Sequence, residues 1–379
     1  MISSKNSPIT EASNKFAFEL YNKLAKKRIN LFFSPFSIST AIAMIYVGSK
    51  EETSKQIEEV MHFTIHKQRL PIEYEKFLTN FFQERVKNKS EFILSNAQWI
   101  QHNYQLLENY TYAIETYFKA MLTQVNFLDE QKTMDIINGW VEKSTKGKIT
   151  NILEKINPES RLLITNSIYF KDKWLKPFDE MKTKEEPFFI AKDKKILVEM
   201  MTEKQKYSFR NFPTYQLLEI PYKDDDLSLI IFLPRDIEGL PDLEKKITSI
   251  NINVILNDIT SLEVEIFIPK FKFTNAMKLS KELQEMGMKE PFSSTADFSG
   301  ISQTKLAISE VVHKAFIEVN EEGSEAAAAT IVEMVLATGP PKDVERNIFR
   351  ADHPFMFIIY SRKANLILFI GKVMNPKEE

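Results

Sequence analysis

Residues 321–330 read Glu-Glu-Gly-Ser-Glu-Ala-Ala-Ala-Ala-Thr and lie between two segments with strand patterns, Leu306 to Val319 and Pro354 to Ile370. On propensity alone, the alanine run favours a helix. With a period of two, the same region instead predicts a strand with Glu325 and Glu333 on one face. Its other face carries Ser324, Ala326, Ala328, Thr330, Val332, Met334 and Leu336. A segment that fits both an exposed loop and a buried strand is a candidate two-state element.

The composition indicates a folded chain with few chemical specialisations. Apolar residues make up 43% of the 379 residues and charged residues 27%, which allows a sizeable core and does not indicate disorder. The formal net charge of −2 gives no drive toward nucleic acid or an anionic membrane. The chain has no cysteine, which excludes disulfides, thiolate nucleophiles and cysteine metal sites.

The N-terminal segment, Met1 to Pro8, is polar and lacks the apolar stretch of a signal peptide. No segment approaches the roughly 18 apolar residues that a membrane span needs. We therefore expect a cytoplasmic protein by default, although unconventional secretion or a removed signal peptide would also fit.

Helical and strand patterns are intermixed along the whole chain, which predicts one mixed α+β domain over residues 1–379. Strands are predicted at Phe92 to Ile100, Leu162 to Phe170, Leu197 to Met201, Leu217 to Pro221 and Leu227 to Leu233. In Glu263 to Phe273 the alternation changes phase at Pro269, which predicts a bend or bulge there. A short helix is predicted from Lys278 to Met288.

The motifs of common enzymes are missing. The nine glycines form no phosphate-binding loop, and there is no Gly-x-Ser-x-Gly or His-Glu-x-x-His sequence. His62 and His66 are spaced to share a helical face, but no nearby carboxylate completes a metal site, so a solvated helix end is the simpler interpretation. We expect no catalytic residues, no metal and no cofactor.

Nine short segments, in order from Asn14 to Pro376, resemble the serpin family. They are Ser34-Pro35-Phe36-Ser37-Ile38, Gly48-Ser49-Lys50-Glu51-Glu52-Thr53, Leu163 to Trp174, Leu218-Glu219-Ile220-Pro221-Tyr222, Ile268-Pro269-Lys270-Phe271, Ala296 to Ile301, His313-Lys314-Ala315, the glutamate-alanine stretch and Asp352-His353-Pro354-Phe355. The chain departs from the family pattern at Ser167, where alanine is usual, at Asp172, where glycine is usual, and at Ser49, where alanine is usual.

The resemblance implies a fold of three β-sheets and about nine helices, with an exposed reactive-centre loop at about residues 321–347. It also implies an inhibitor that a protease cleaves, forming a covalent 1:1 acyl-enzyme while the cut loop enters the main sheet as a new strand. The matching polar cluster beneath the sheet, where its central strands part, is Ser34, Ser37, Asn166 and His313. Trp174 matches the aromatic residue at the point where the loop enters. We expect a monomer with no nucleic-acid or membrane partner.

The residues of the loop support insertion independently of the resemblance. Residues that enter a packed sheet first must be small, and Ser324, Ala326 and Ala328 are small. Gly323 supplies backbone freedom. The predicted hinge comprises Glu321, Glu322, Gly323, Ser324, Glu325, Ala326, Ala327, Ala328, Ala329 and Thr330. The alternatives are an inert surface loop and a non-inhibitory serpin that acts as a chaperone, carrier or storage protein.

The family's count from Gly323 implies a scissile bond between Ala337 and Thr338, with Leu336 and Met334 as alternative bait residues because the loop is a few residues longer than usual. All three bait residues suit the primary pocket of an elastase-like or chymotrypsin-like serine protease. A trypsin-like enzyme requires Lys or Arg, and Lys342 and Arg346 lie further downstream. Inhibition of a trypsin-like or a cysteine protease is therefore the second alternative.

Overall fold

The structure, a computed structural model, describes residues 7–88, 90–224, 226–247, 252–257, 259–324 and 347–378. Nine α-helices lie within these ranges: α1 (Pro8–Leu24), α2 (Pro35–Gly48), α3 (Glu51–Met61), α4 (Leu70–Asn88), α5 (Glu108–Tyr117), α6 (Glu130–Ser144), α7 (Leu240–Ile247), α8 (Ile252–Asn257) and α9 (Ser280–Glu285). None of the helices in the described ranges is long and apolar enough to cross a lipid bilayer.

The described strands form two hydrogen-bonded sheets. The six-stranded sheet has the order β10 (Phe271–Lys278), β11 (Ile308–Val319), β12 (Gly323–Ser324), β4 (Leu162–Lys173), β2 (Glu91–Gln101), β3 (Met121–Val125). The nine-stranded sheet has the order β1 (Leu31–Phe33), β15 (Leu366–Val373), β14 (Phe355–Ser361), β8 (Leu227–Pro234), β7 (Tyr215–Pro221), β6 (Lys194–Asn211), β9 (Thr260–Pro269), β13 (Asn347–Arg350), and β5 (Lys184–Ala191) pairs with β6.

The long strand β6 explains how the three-sheet arrangement implied by the resemblance is built. Its end, Ser208 to Asn211, pairs with β7, whereas Met200 to Phe209 pairs with β9. The small group β5, β6, β9 and β13 is therefore continuous with the larger group of strands through β6.

Three predicted segments differ from the observed elements in their bounds. Pro269 ends β9, and the chain continues in β10 of the other sheet, so the change of phase marks a change of sheet. The pattern from Pro354 to Ile370 forms two antiparallel strands, with Asn365 in the left-handed region at the turn. The helix predicted at Lys278 to Met288 is limited to α9, since Gly287 has a φ of +122°.

Helix α2 forms the centre of the main core because it is apolar around nearly its whole circumference. Its residues from Pro35 to Tyr46 are all buried, and Ser34 caps its N-terminus by accepting the N–H of Ser37. The opposite face of the six-stranded sheet is covered by α6, and a smaller core that includes Trp99, Ile137 and Phe316 fills the space between them. The sheet is thus packed on both faces.

The centre of the six-stranded sheet contains a parallel contact between β11 and β4, which we call the seam. Seven residue pairs form it, from Ile308 with Leu162 to Ala315 with Ile168. Beyond Ala315 the two strands are no longer paired directly. Gly323 and Ser324 lie between them at this end of the sheet.

Candidate functional site

The first residues of the predicted loop form a tight hairpin at the end of β11, which we call the hinge (residues 320–324). Asn320 holds its turn: the Asn320 Oδ1 atom accepts the N–H groups of Glu322 at 3.1 Å and Gly323 at 3.3 Å. The Asn320 N–H donates to the Gly323 carbonyl at 3.0 Å. The chain therefore turns back immediately beside β11.

Gly323 and Ser324 then pair as a short strand with β4, opposite Lys173 and Asp172. A Cβ atom on Gly323 would lie 2.1 Å from the Asp172 carbonyl oxygen, so only glycine fits this close approach. The side chain of Ser324 is 1% exposed, and its hydroxyl is 2.6 Å from the Tyr222 hydroxyl. The structure therefore differs from the prediction that the loop is exposed from Glu321 onward, because Glu321 is buried and Gly323 and Ser324 are already paired in the sheet.

Glu321 anchors the base of the hinge. Its side chain is buried; one carboxylate oxygen accepts the Thr183 hydroxyl at 2.7 Å, and the other lies 3.3 Å from the Lys270 ammonium group. The Glu321 carbonyl accepts the N–H of Phe178 at 2.8 Å. An ion pair with Lys270 and a backbone hydrogen bond with Phe178 thus hold Glu321 in place.

Trp174 closes the same region from the side of β4. Its indole N–H donates to the Asn320 carbonyl at 2.8 Å, and its backbone N–H donates to the Glu322 carbonyl at 2.8 Å. Its ring stacks on Tyr222 with centroids 4.6 Å apart. Trp174 is therefore bound by direct hydrogen bonds to the hinge.

Asp172, the β4 residue opposite Ser324, is 6% exposed and belongs to a buried polar cluster. The Ser90 hydroxyl bridges two carboxylates, at 2.8 Å from Asp172 and 3.1 Å from Asp224. Arg85 pairs with Asp224 at 2.7 Å. Burial raises the pKa of Asp172 from 3.8 to about 6, and the nearby Asp224 carboxylate adds to the rise.

The predicted polar cluster lies at the seam, and its residue on β4, Asn166, is six positions before Asp172, which pairs with the hinge. Asn96, Asn166 and His313 stand opposite one another on β2, β4 and β11. The Asn166 amide donates to the Ser37 carbonyl at 3.1 Å and to Asn96 Oδ1, and its oxygen contacts His313 Nδ1. Ser34 donates its backbone N–H to His313 Nε2 at 3.2 Å.

These contacts define the tautomer of His313. Since Nε2 accepts a backbone N–H, Nδ1 carries the proton and donates it to Asn166 Oδ1. Burial lowers the pKa of His313 from 6.5 to about 3, so the ring is neutral at physiological pH. The network is a chain of neutral hydrogen bonds that joins both strands of the seam to α2.

The structure thus brings Ser34, Ser37, Asn166 and His313 together, and it places Trp174 with residues 321–324 in a second group. Residues 325–330 of the predicted hinge segment, and the predicted reactive-bond residues Met334, Leu336, Ala337 and Thr338, lie outside the described residues. Sequence reasoning missed Asn96, Asn320, Tyr222 and Asp172 as site residues. Two of these residues could have been found from the sequence, since Tyr222 ends one of the nine matching segments and Asp172 departs from the usual glycine. No sequence feature indicates Asn96 or Asn320.

Comparison with known proteins decides the family. A family model described as serpin (serine protease inhibitor) matches residues 11–376. The chain is a serpin. The α+β fold with nine α-helices in the described residues is accordingly confirmed.

Individual relatives agree over almost their full length. This serpin is 38% identical to an uncharacterized serpin-like protein of Methanosarcina acetivorans, over 98% of this chain and 88% of that protein. It is 35% identical to the leukocyte elastase inhibitor of Xenopus laevis, over 97% of this chain and 99% of that protein. The crystal structure of Serpin48, a highly specific serpin of the insect Tenebrio molitor, superposes with a TM-score of 0.87 at 30% identity, covering 97% of this chain and 98% of that one.

Proposed function

We propose that this serpin inhibits a chymotrypsin-like or elastase-like serine protease by a single-use mechanism in which its own loop is the bait. The observation that carries the proposal is the position of Gly323 and Ser324, which are already paired between β11 and β4. If this short strand were extended within the same sheet, it would run along the seam. The continuation of the loop into the sheet therefore requires no new entry point.

The sequence that follows Ser324 is suited to this path. The next positions of the same phase are Ala326 and Ala328, whose small side chains cost little to accommodate in a sheet packed on both faces. Val332, Met334 and Leu336 follow in that phase and supply apolar burial of roughly 1.5–3 kcal/mol each when fully buried. Ser324 itself points to the inner face, toward Tyr222.

In the proposed reaction the serine hydroxyl of the protease attacks the carbonyl carbon of Ala337. The proton of the serine hydroxyl passes to the Thr338 nitrogen, the C–N bond breaks, and Thr338 leaves as a free amine while an ester joins the protease serine to Ala337. Insertion of the loop then carries the esterified protease away from the hinge before water hydrolyses the ester. The product is a covalent 1:1 complex.

The class of protease is proposed from the bait residues. Ala337, and Leu336 or Met334 if the cleaved bond is shifted, are apolar and uncharged, which suits small or hydrophobic primary pockets. The name of the Xenopus laevis relative, leukocyte elastase inhibitor, supports an elastase-like target. The hinge also disfavours the non-inhibitory alternative, because its first inserted side chain is a small serine.

Incubation with elastase, chymotrypsin and trypsin in separate reactions tests the proposal. We expect an adduct that resists SDS with elastase or chymotrypsin, and a released C-terminal peptide that begins at Thr338. Cleavage by all three enzymes without an adduct would exclude the inhibitory mechanism. An adduct with trypsin alone would reject the proposed protease class.

Two variants separate mechanism from specificity. Ser324→Arg places a long cation at a buried position, so we expect cleavage at the same bond but no stable adduct. Ala337→Arg leaves the hinge unchanged and should transfer adduct formation to trypsin. An adduct with Ser324→Arg as abundant as that of the unmodified chain would show that insertion at the hinge is not required.

A further inference from the structure

Asp172 and Ser324 are direct neighbours across the short pairing of β4 with β12. Phe170, two residues earlier on β4, contacts the Tyr222 ring, and the Ser324 hydroxyl contacts the Tyr222 hydroxyl. Side chains two residues apart on a strand share a face, so Asp172 and Ser324 both point toward the core side of the sheet. The hinge strand therefore forms one wall of the environment of the Asp172 carboxyl group.

The groups that face this carboxyl from the other walls are mostly acidic or neutral. Ser90 donates to it from the segment before β2, the Asp224 backbone N–H donates at 3.3 Å, and the Lys173 backbone N–H donates at 2.8 Å. The charged neighbours are Asp224, its partner Arg85 on α4, and Asp226, which shares Arg85. The hydroxyl group of Tyr222, the residue after β7, also interacts with this carboxyl.

The cations near Asp172 pair with other carboxylates. Arg85 is divided between Asp224 and Asp226, and the Lys173 ammonium lies 3.1 Å from Glu322. Lys270, on the far side of the hinge, pairs with Glu321 and Glu199. Within the described part of the chain, no ion pair reaches the Asp172 carboxyl, although three carboxylates share this buried region.

We propose that protonation of Asp172 keeps the hinge seated in the sheet and that its ionisation favours release of the hinge. An ionised carboxylate without a counter-ion is costly while Ser324 covers it, and release of the strand gives it access to water. Release of the hinge is then coupled to loss of a proton. This coupling is a property of the uncleaved chain and stands independently of protease inhibition.

The charge changes in a physiologically accessible range, because burial raises the pKa of Asp172 to about 6 from the ordinary 3.8. If release restores the ordinary value, the ratio of released to seated hinge rises with pH between these two values and levels off above 6. From pH 5.0 to pH 7.5 the largest expected increase in that ratio is roughly tenfold.

Hydrogen–deuterium exchange of the full, uncleaved chain measures this ratio directly. Labelling at pH 5.0 and 7.5, with times scaled for the intrinsic exchange rate, should show an opening ratio up to roughly tenfold larger at pH 7.5 in peptides that contain Gly323 and Ser324. Asp172→Asn removes the titration and keeps the size of the side chain, so its opening ratio should not change with pH. Asp193→Asn, which alters an exposed carboxyl in the turn between β5 and β6, should behave as the unmodified chain.

Two results would overturn the proposal: no pH dependence in the unmodified chain, or full pH dependence in Asp172→Asn. A second variant, Asp172→Gly, guards against a local disturbance by the asparagine amide and should also lose the pH dependence. Because no protease is present, failure of this test would leave the inhibitory mechanism unaffected, and success would not establish it.

Discussion

Two buried titratable side chains, Asp172 and His313, affect the stability of the fold in opposite directions as the pH falls. Asp172 has a raised pKa, so its ionised form is the costly one and acid relieves that cost. His313 has a lowered pKa, so its neutral form is required and acid opposes folding. Each lies on one of the two strands that border the seam, at different distances from the hinge.

We expect Asp172→Asn to stabilise the protein at pH 7.5. The interval between the ordinary pKa of 3.8 and the raised pKa of about 6 corresponds to at most about 3 kcal/mol of unfolding free energy. This gain should shrink as the pH falls through 6 and vanish below 3.8, where both states hold the proton. Urea unfolding at pH 7.5 and pH 3.5 measures it. A variant less stable than the unmodified chain at pH 7.5 would contradict the assignment of an uncompensated buried charge.

We expect His313→Gln to lower the unfolding free energy by about 1–3 kcal/mol at pH 7.5, because the Ser34 N–H or Asn166 Oδ1 loses its buried partner. The variant should also lose stability less steeply between pH 6.5 and pH 4, since the unfolded state no longer gains a proton at this position. Urea unfolding over that range measures both effects. His102→Gln, at an exposed position, should keep the slope of the unmodified chain.

At the scale of elements, the hinge hairpin is defined by backbone geometry more than by side-chain packing. Asn320 fixes the turn, and Gly323 permits the contact with Asp172 and Lys173. The φ of Gly323 is not in the left-handed region, so its role is close approach between two backbones rather than an unusual conformation. Substitution there should act on the pairing of β12 alone.

We therefore expect Gly323→Ala to unseat Ser324 and to increase hydrogen–deuterium exchange in peptides of residues 320–324 by at least tenfold, because the added Cβ meets the Asp172 carbonyl. Gly139→Ala is the matched control. A Cβ at Gly139, in the interior of α6, meets nothing within 4 Å, and this variant should gain roughly 0.5–1 kcal/mol of stability. Unchanged exchange at the hinge of Gly323→Ala would contradict the close approach.

Sequence patterns predicted strand existence well and strand connections poorly. β8 was predicted from its continuous apolar run, because a strand buried on both faces is apolar throughout. β9 was predicted from its alternation, because a strand buried on one face alternates apolar and polar residues. No sequence pattern indicates the pairing of β4 with β11, since the paired residues lie about 150 positions apart. Long-range register depends on tertiary packing that local periodicity does not encode.

The same limit applies to the site. Asn166 and His313 were assigned through the resemblance, and no local pattern indicates that they stand opposite each other. Asn96 was missed because one asparagine in a strand has no distinguishing neighbours in sequence. Asp172 is marked in the sequence only by its departure from the usual glycine; the structure places it inside β4, where its carboxyl group is buried.

For the whole molecule, loop cleavage should change stability as well as covalent structure. If the cut loop enters the seam, the sheet gains a central strand and buries Val332, Met334 and Leu336, for an increase in Tm on the order of 10 °C. Calorimetry before and after nicking by a protease that forms no adduct measures this shift. Ser324→Arg, nicked in the same way, should show little or no increase. Equal increases in both proteins would contradict insertion through the hinge.

The seam between β11 and β4 affects the lifetime of the native structure. A strand that enters between β11 and β4 breaks one ladder of seven residue pairs and replaces it with two ladders, so the sheet ends with more backbone hydrogen bonds than it had. In the proposed mechanism, the structure with the closed seam is not the state of lowest free energy, and a slow rate of seam opening preserves it. The lifetime of the native structure, and its steep decrease with rising temperature, should follow the activation barrier for opening the seam rather than the equilibrium free energy of unfolding.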